Sequence, residues 1–216
     1  MIDSDIMKYV MSKNKKITNW VTKHKKDPFV KKSKEDNYRS RAVYKLIEIN
    51  NKYKIFSNSN FVIDLGCAPG SWSQYISEQR NVDKILGIDI LEMTPINRVY
   101  FIQGDINNSE IHEMVLRENK CKAGVVLSDI APNITGIGVI DQGNFTVLAD
   151  NIMEFCKKTL KEDGFLIMKY FTGSSLAGIQ ESLKKHFRKV SVFKPSSSKK
   201  MSNEIYLICN NFKPLI

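Results

Sequence analysis

Two periodicities alternate along most of this chain. Short apolar runs predict β-strands at residues 61–65, 84–89, 99–102, 123–128, 164–170, 188–194 and 204–209. Between them, apolar residues recur at helical spacing over 72–80, 109–119, 142–161 and 175–186. A further helix is predicted from Tyr38 to Tyr53, where Ala42, Val43, Leu46, Ile47 and Ile49 fall on one side and Arg39, Arg41 and Lys45 on another. Strands that alternate with helices imply an α/β fold built on a doubly wound, mostly parallel sheet with right-handed crossovers and helices on both faces. The last two strands are separated only by the loop 195–203, too short for a crossover, so they must run antiparallel to each other. No internal repeat and no second folded domain are visible. The expected organisation is a basic, partly disordered extension over 1–37 and one domain over 38–216.

The transition from the first strand to its helix carries the most chemistry. Phe61-Val62-Ile63 ends in Asp64 and breaks into a turn containing Gly66, Ala68, Pro69 and Gly70. A strand that feeds a helix through such a turn is a nucleotide-binding corner of a doubly wound sheet. The spacing is Gly-x-x-x-Gly, whereas a dinucleotide pyrophosphate calls for Gly-x-Gly-x-x-Gly. That difference points away from NAD and toward S-adenosylmethionine, which has no phosphates and needs close backbone approach. A tight turn with no ligand, or a dehydrogenase of the same topology, are the competing readings.

In an open parallel sheet, ligands bind outside the carboxyl ends of the strands. Asp89 ends the second predicted strand, 19 residues after Gly70, where an acid can accept from a ribose diol. Asp105 follows the third and could meet an adenine amine or simply cap the next helix. Asp129 ends the fourth strand beside a proline turn, an expensive place for an unpartnered acid. Lys169 lies in the apolar run Phe-Leu-Ile-Met-Lys-Tyr-Phe, and Glu204 opens the last strand, whose antiparallel direction puts it on the same rim. Asp129, Lys169 and Glu204 should therefore converge, as a reactive site or as a structural salt bridge.

Composition narrows the partners. The chain has 216 residues and a net charge of +10, unevenly placed. Residues 1–45 hold 13 basic against 5 acidic residues, residues 184–200 hold 7 basic and none acidic, and the remainder is net acidic. An acidic body between basic segments fits a polyanion gripped by its phosphates, whose neutralisation dominates nucleic-acid affinity. A lysine-rich solvated surface is the plainer alternative. Cys67, Cys121, Cys156 and Cys209 form no Cys-x-x-Cys pair, so neither a metal site nor a disulfide framework is expected, and a reducing compartment is. No run approaches the ~18 apolar residues of a membrane span.

These motifs resemble those of the FtsJ family of S-adenosylmethionine-dependent RNA ribose 2′-O-methyltransferases. The matching stretches are Tyr38-Arg39-Ser40-Arg41-Ala42 with Lys45-Leu46, the loop 64–74, Ser128-Asp129-Ile130-Ala131-Pro132-Asn133, Lys169, and Lys194-Pro195 with residues 202–206. The resemblance implies a Rossmann-like class I methyltransferase fold of seven strands. It implies a catalytic set on Lys45, Asp129, Lys169 and Glu204. Cofactor contacts are implied at Gly66, Ala68, Pro69, Gly70, Ser71, Trp72, Asp89, Ile90, Asp105, Ile106 and Asp129, and RNA contacts at Arg39, Arg41, Lys45, Lys194, Lys199 and Lys200. Trp20, His24, the Asp27-Pro28-Phe29-Val30 run and Tyr38 look most like members acting on large-subunit ribosomal RNA. Transfer RNA, the mRNA cap and a non-catalytic RNA-binding role are the alternatives. Ser71 departs from the glycine often found beside Gly70, placing a hydroxyl near the methionine tail. Lys169 is expected either as a neutral base for the 2′-hydroxyl or as an ammonium that orients it. The expected protein is a monomer of the cytosol, with a mitochondrion or other organelle as the alternative.

Overall fold

The computed structural model of the protein describes residues 27–118, 121–199 and 201–214. Trp20, His24, Lys200 and most of the expected extension lie outside them. Seven strands form one sheet in the order β3-β2-β1-β4-β5-β7-β6. They are β1 (Phe61–Leu65), β2 (Lys84–Asp89), β3 (Val99–Gln103), β4 (Ala123–Ser128), β5 (Leu160–Phe171), β6 (Phe187–Phe193) and β7 (Glu204–Phe212). The strands β1 to β5 pair in parallel, and β7 is antiparallel to both β5 and β6. The doubly wound α/β expectation holds, with one refinement: β7 inserts between β5 and β6.

Strict alternation along the strands sorts the core into two layers. Phe61, Ile63 and Leu65 of β1 join one apolar cluster with Leu86, Ile88, Val126, Leu166 and Met168. Helices α4 (Ser109–Glu118), α5 (Gly138–Thr159) and α6 (Leu176–His186) cover that face through residues such as Ile111, Phe155 and Leu183. The opposite face presents Val62, Ile85, Val125, Leu127, Ile167 and Ile208, covered by α2 (Val43–Tyr53) and α3 (Ser71–Ser77) through Leu46, Ile49, Trp72 and Ile76. This second face ends in the candidate site residues.

The structure departs from the predicted elements where side chains compete with helix geometry. A helix α1 (Pro28–Glu35) precedes the expected one, started by Asp27, whose carboxylate accepts from Phe29 N at 3.0 Å, and by Pro28 in the first turn. The sequence held that signal in the dipeptide Asp27-Pro28. The next helix, α2, begins at Val43 rather than Tyr38, because Ser40 Oγ accepts from Ala42 N and the preceding residues bond to α3 instead. Helix α5 ends at Thr159 because Leu160 already pairs with Ala123; the strand then detours through Asp163 at φ 58° and rejoins β4 where Phe165 meets Val125. Packing of α1 onto α2 uses the Phe29 and Tyr44 rings, 5.4 Å apart, and an ion pair between Asp27 and Arg41.

Replacing Asp27 with Ala removes the helix cap and this ion pair. Urea unfolding of D27A should show a loss of about 1–2 kcal/mol from the cap alone, and unchanged stability would show that α1 does not depend on it.

Candidate active site

The face that carries Leu127, Ile167 and Ile208 into the core continues, two residues on, to Asp129, Lys169 and Tyr206. Tyr206 lies directly across from Lys169 in the β5–β7 register, and Glu204 follows two residues along the same face. Lys169 Nζ donates to Asp129 Oδ1 at 3.1 Å and also to the Asp129 carbonyl. The Tyr206 hydroxyl donates to the same Oδ1 at 2.6 Å. Lys45, in the first turn of α2, reaches over this face to Glu204, with its ammonium 2.7 and 2.8 Å from the two carboxylate oxygens. Ser198 Oγ donates to Glu204 Oε1 at 2.9 Å. The predicted quartet is thus brought together as two lysine–carboxylate pairs whose side chains are 10–21% exposed.

Tyr206 links the pairs. Its ring lies 5.7 Å from the Lys45 ammonium and 5.8 Å from the Trp72 ring. Burial, then the Asp129 and Glu204 charges, push its phenol well above the usual range, so it stays a donor. Tyr206 had not been assigned a role from sequence; its place two residues after Glu204 on an alternating strand was the available signal.

Beside Asp129 opens a cavity of about 650 Å³ at the carboxyl ends of β1 to β4. Of the expected cofactor residues, Gly66, Asp89, Ile90, Asp105 and Ile106 line it. Asp89 accepts from Ala68 N and Leu91 N, both at 2.8 Å, which fixes its carboxylate at the pocket's edge. Asp105 Oδ1 accepts from Asn107 N at 2.9 Å, a turn contact on the pocket wall, while Asn108 rather than Asp105 caps α4 by accepting from Glu110 N at 2.9 Å. Gly66 has φ +70°, and a Cβ there would lie 2.3 Å from Ile130 Cγ1. Gly70 has φ +107°, and its Cβ would meet Ile96, Arg39 and Met93 within 2.9 Å. Both glycines are required by backbone conformation and by close packing. The pocket also has a wall on α5, where Asn144, Val147, Leu148 and Asn151 share a helix face; that wall was not foreseen.

Other expected contacts point elsewhere. Ala68, Pro69, Gly70, Ser71 and Asp129 do not line the cavity, and Ser71 is buried with its hydroxyl bonded to Ser40 Oγ at 2.8 Å. Trp72 is 3% exposed, its Nε1 donating to Ala42 O at 2.8 Å, so its ring belongs to the core under α2. Of the expected RNA contacts, Lys194 and Lys199 are exposed, Lys194 also donating to the Ser202 carbonyl at 2.8 Å. Arg39 and Arg41 are half-buried and their guanidinium groups bond to protein: Arg39 to the carbonyls of Pro69, Thr94 and Pro95, Arg41 to Asp27 and to the Ser197 carbonyl. The loop 195–198 is held from α2 as well, because Glu48 accepts from Ser196 N and Ser197 N at 2.7 and 2.9 Å.

The FtsJ-like methyltransferase model matches residues 38–212. The chain belongs to that family. Its relatives match over nearly their whole length. The ribosomal RNA large subunit methyltransferase E of Pelagibacter ubique is 45% identical over 199 residues, spanning 92% of this chain and 98% of the relative. The same-named protein of Polynucleobacter asymbioticus is 38% identical, spanning 94% and 99%. A crystal structure of a Plasmodium falciparum protein assigned as a ribosomal RNA methyltransferase superposes with a TM-score of 0.74 at 36% identity, covering 81% of this chain and 98% of that one. The class I methyltransferase architecture read from the FtsJ resemblance is the architecture found.

One buried acid stands beneath this site. Asp64 is 1% exposed and accepts from Ser73 Oγ at 2.6 Å. Burial raises its pKa to about 7; the Ser73 bond opposes the shift, and the Asp129 and Asp89 charges add to it. The folded state thus holds a proton that the unfolded chain, titrating near 4, has already lost. Stability should therefore fall as pH rises from about 4 to 7, by a few kcal/mol on the order of magnitude set by this shift, and level off above. Urea unfolding of wild type and Asp64→Asn at pH 5 and pH 8 checks this: the variant should flatten that part of the slope, and parallel profiles would refute the assignment.

Proposed function

We propose that this protein transfers the methyl group of S-adenosylmethionine to a ribose 2′-oxygen of large-subunit ribosomal RNA. The observation that carries the reading is the pair of lysine–carboxylate contacts, Lys169–Asp129 and Lys45–Glu204, on one sheet face beside the cavity. The residues of the cavity suit the cofactor. Asp89 retains acceptor capacity for a ribose diol, since each of its oxygens takes one backbone N–H and has a second lone pair. Ile90, Ile106 and Ile130 offer apolar surface for a flat ring, and Asp105 an acceptor for its amine. Ile90 and the adjacent Leu91, 64% and 62% exposed, lie together at the pocket's edge and add apolar surface that such a ring would cover. When bound, S-adenosylmethionine supplies a sulfonium methyl open to attack by an oxygen.

The remaining work falls to the chain. A 2′-hydroxyl is a weak acid, so its proton must be taken as the oxygen attacks. In Lys169, two positions around Nζ are directed at the Asp129 carbonyl and Oδ1. A neutral amine held there by two N–H bonds turns its lone pair toward the remaining direction, where the hydroxyl would lie. Lys169 is the proposed base and Asp129 its orienting partner, with Tyr206 holding Asp129 in turn. Lys45, fixed by Glu204, which Ser198 holds in turn, presents positive charge to the ribose and phosphate beside the target. Exposed Lys194 and Lys199 carry the grip to more distant phosphates. Positioning of two substrates supplies much of the acceleration in such a site.

Substrate class rests on the relatives named as large-subunit ribosomal RNA methyltransferases and on the +10 net charge. Among the described residues no helix is long and apolar enough to cross a membrane. Incubation with labelled S-adenosylmethionine and separate ribosomal, transfer and capped RNAs should label large-subunit ribosomal RNA, and nucleoside digestion should find the label on ribose. Label confined to transfer or capped RNA would reassign the substrate, and cofactor binding without transfer to any RNA would reduce the protein to a binding module.

Lys169→Ala and Lys45→Ala should each lower transfer by at least about 100-fold, the scale of a lost general base, while calorimetry shows S-adenosylmethionine binding retained. Lys169→Arg keeps the charge and removes the base, so substantial methyl transfer by that variant would overturn the base assignment.

A further inference from the structure

Arg39 is expected from sequence to hold an RNA phosphate, yet three of its five side-chain N–H groups donate inside the protein. Nη1 donates to Pro69 O at 2.9 Å and to Thr94 O at 2.7 Å, and Nη2 donates to Pro95 O at 2.9 Å. Pro69 belongs to the glycine turn after β1, and Thr94 and Pro95 to the loop after β2. The cavity lies against both: Gly66 comes from the first, and Ile90 and Leu91 from the second. The two loops are also joined through Asp89, which accepts from Ala68 N and Leu91 N. Arg39 is thus a second stitch across the same pair of loops, 30 and 55 residues away in sequence from the carbonyls that Nη1 reaches.

The backbone around Arg39 is fixed just as firmly. Arg39 N donates to Gln74 Oε1 at 3.2 Å, and Gln74 Nε2 returns to Asn37 O at 2.8 Å. Ser40 Oγ donates to Ser71 Oγ at 2.8 Å, which gives this chain's serine beside Gly70 a definite partner. Both contacts hold the segment 37–42 against α3, whose first turn follows the glycine loop. A guanidinium fork can bridge three carbonyls on two loops because its N–H groups diverge in a rigid plane, whereas an ammonium is a single point at the end of a flexible stem.

We propose that Arg39 is a positioning residue for the cofactor pocket: it sets the separation of the glycine loop and the loop after β2, and makes no RNA phosphate contact. The inference rests on the S-adenosylmethionine reading given above. It separates Arg39 from Lys45, six residues on, as the donor-side and acceptor-side members of one short stretch.

Two variants test it in the full-length protein. Arg39→Lys keeps the charge but loses the bridging fork, so S-adenosylmethionine should bind about tenfold more weakly by calorimetry, the scale of one or two net hydrogen bonds. The Michaelis constant for RNA should stay unchanged. Arg39→Gln removes the charge, yet the dependence of RNA affinity on salt should keep its slope, whereas a lost phosphate contact would reduce the slope by about 0.7–0.9. A thermal melt of each variant accompanies these measurements. Wild-type cofactor affinity in the lysine variant overturns the proposal, as does a lowered melting temperature with unchanged cofactor affinity, or a reduced salt slope in the glutamine variant. Absence of S-adenosylmethionine binding by the unaltered protein would overturn the cofactor reading itself, an outcome distinct from equal binding by protein and variant.

Discussion

Four charged side chains occupy the polar end of a sheet face that is otherwise packed with Val, Leu and Ile, and the site depends on how they are paired. An isolated ammonium or carboxylate at such depth would cost several kcal/mol. Pairing each lysine with an acid on a different element removes most of that cost, but only if the elements are in register. The β5–β7 pairing sets Lys169 against Tyr206 and Phe171 against Glu204. A slip of one residue would carry Glu204 and Tyr206 to the opposite face, leaving Lys45 without its acid and Asp129 without the Tyr206 hydroxyl. The topology contributes equally. Because β7 runs antiparallel to β5, its first residue reaches the rim where β4 and β5 end; a parallel strand there would have placed Glu204 at the far edge of the sheet.

The stretch from Asn37 to Lys45 joins the two halves of this site. Its first residues bond to the glycine loop and α3, and its last residue pairs with Glu204. Between them, Arg41 reaches the Ser197 carbonyl, while Glu48 one turn farther on takes the Ser196 and Ser197 amides. Burial opposes ionisation of Glu48, but the Ser197 and Ser196 bonds outweigh it and hold its pKa below the usual range. The loop that carries Lys194 and Lys199 is therefore anchored to the same helix that carries Lys45. The proposed cofactor pocket, the two lysine–carboxylate pairs and the basic loop share one short structural base.

Much of this was legible in the sequence, for reasons that also mark where legibility ends. Continuous apolar runs along 61–65, 84–89 and 123–128 fixed those strands to the residue, because both faces of the sheet are covered there. The ends of the strands then located Asp89, Asp129, Lys169 and Glu204 on one rim. What periodicity could not reveal was the partner that each polar group chooses. Arg39, Arg41 and Trp72 stand in the matching motifs, yet their side chains turn to protein carbonyls and to the core, because buried carbonyls without partners compete for any donor within reach. Helix α1 lay in a lysine-rich stretch whose low hydrophobicity hid it, although Asp27-Pro28 is a sound start signal. Its stability comes from Phe29 and Tyr44 packing across the gap, a contact between elements that local pattern does not encode.

Tyr206 shows how one unassigned residue can fix the roles of its neighbours. With its phenol held protonated by burial and nearby acids, it can only donate to Asp129. Asp129 Oδ1 then accepts from both Tyr206 and Lys169, and the Asp129 carbonyl takes a further bond from Lys169. These acceptors define two of the directions around Lys169 Nζ, and the side chain itself defines a third. Only one direction remains for a substrate oxygen. The tyrosine does not line the cavity, yet it aligns the acid that aligns the lysine, and in the proposed reaction the direction of attack follows from that order of contacts.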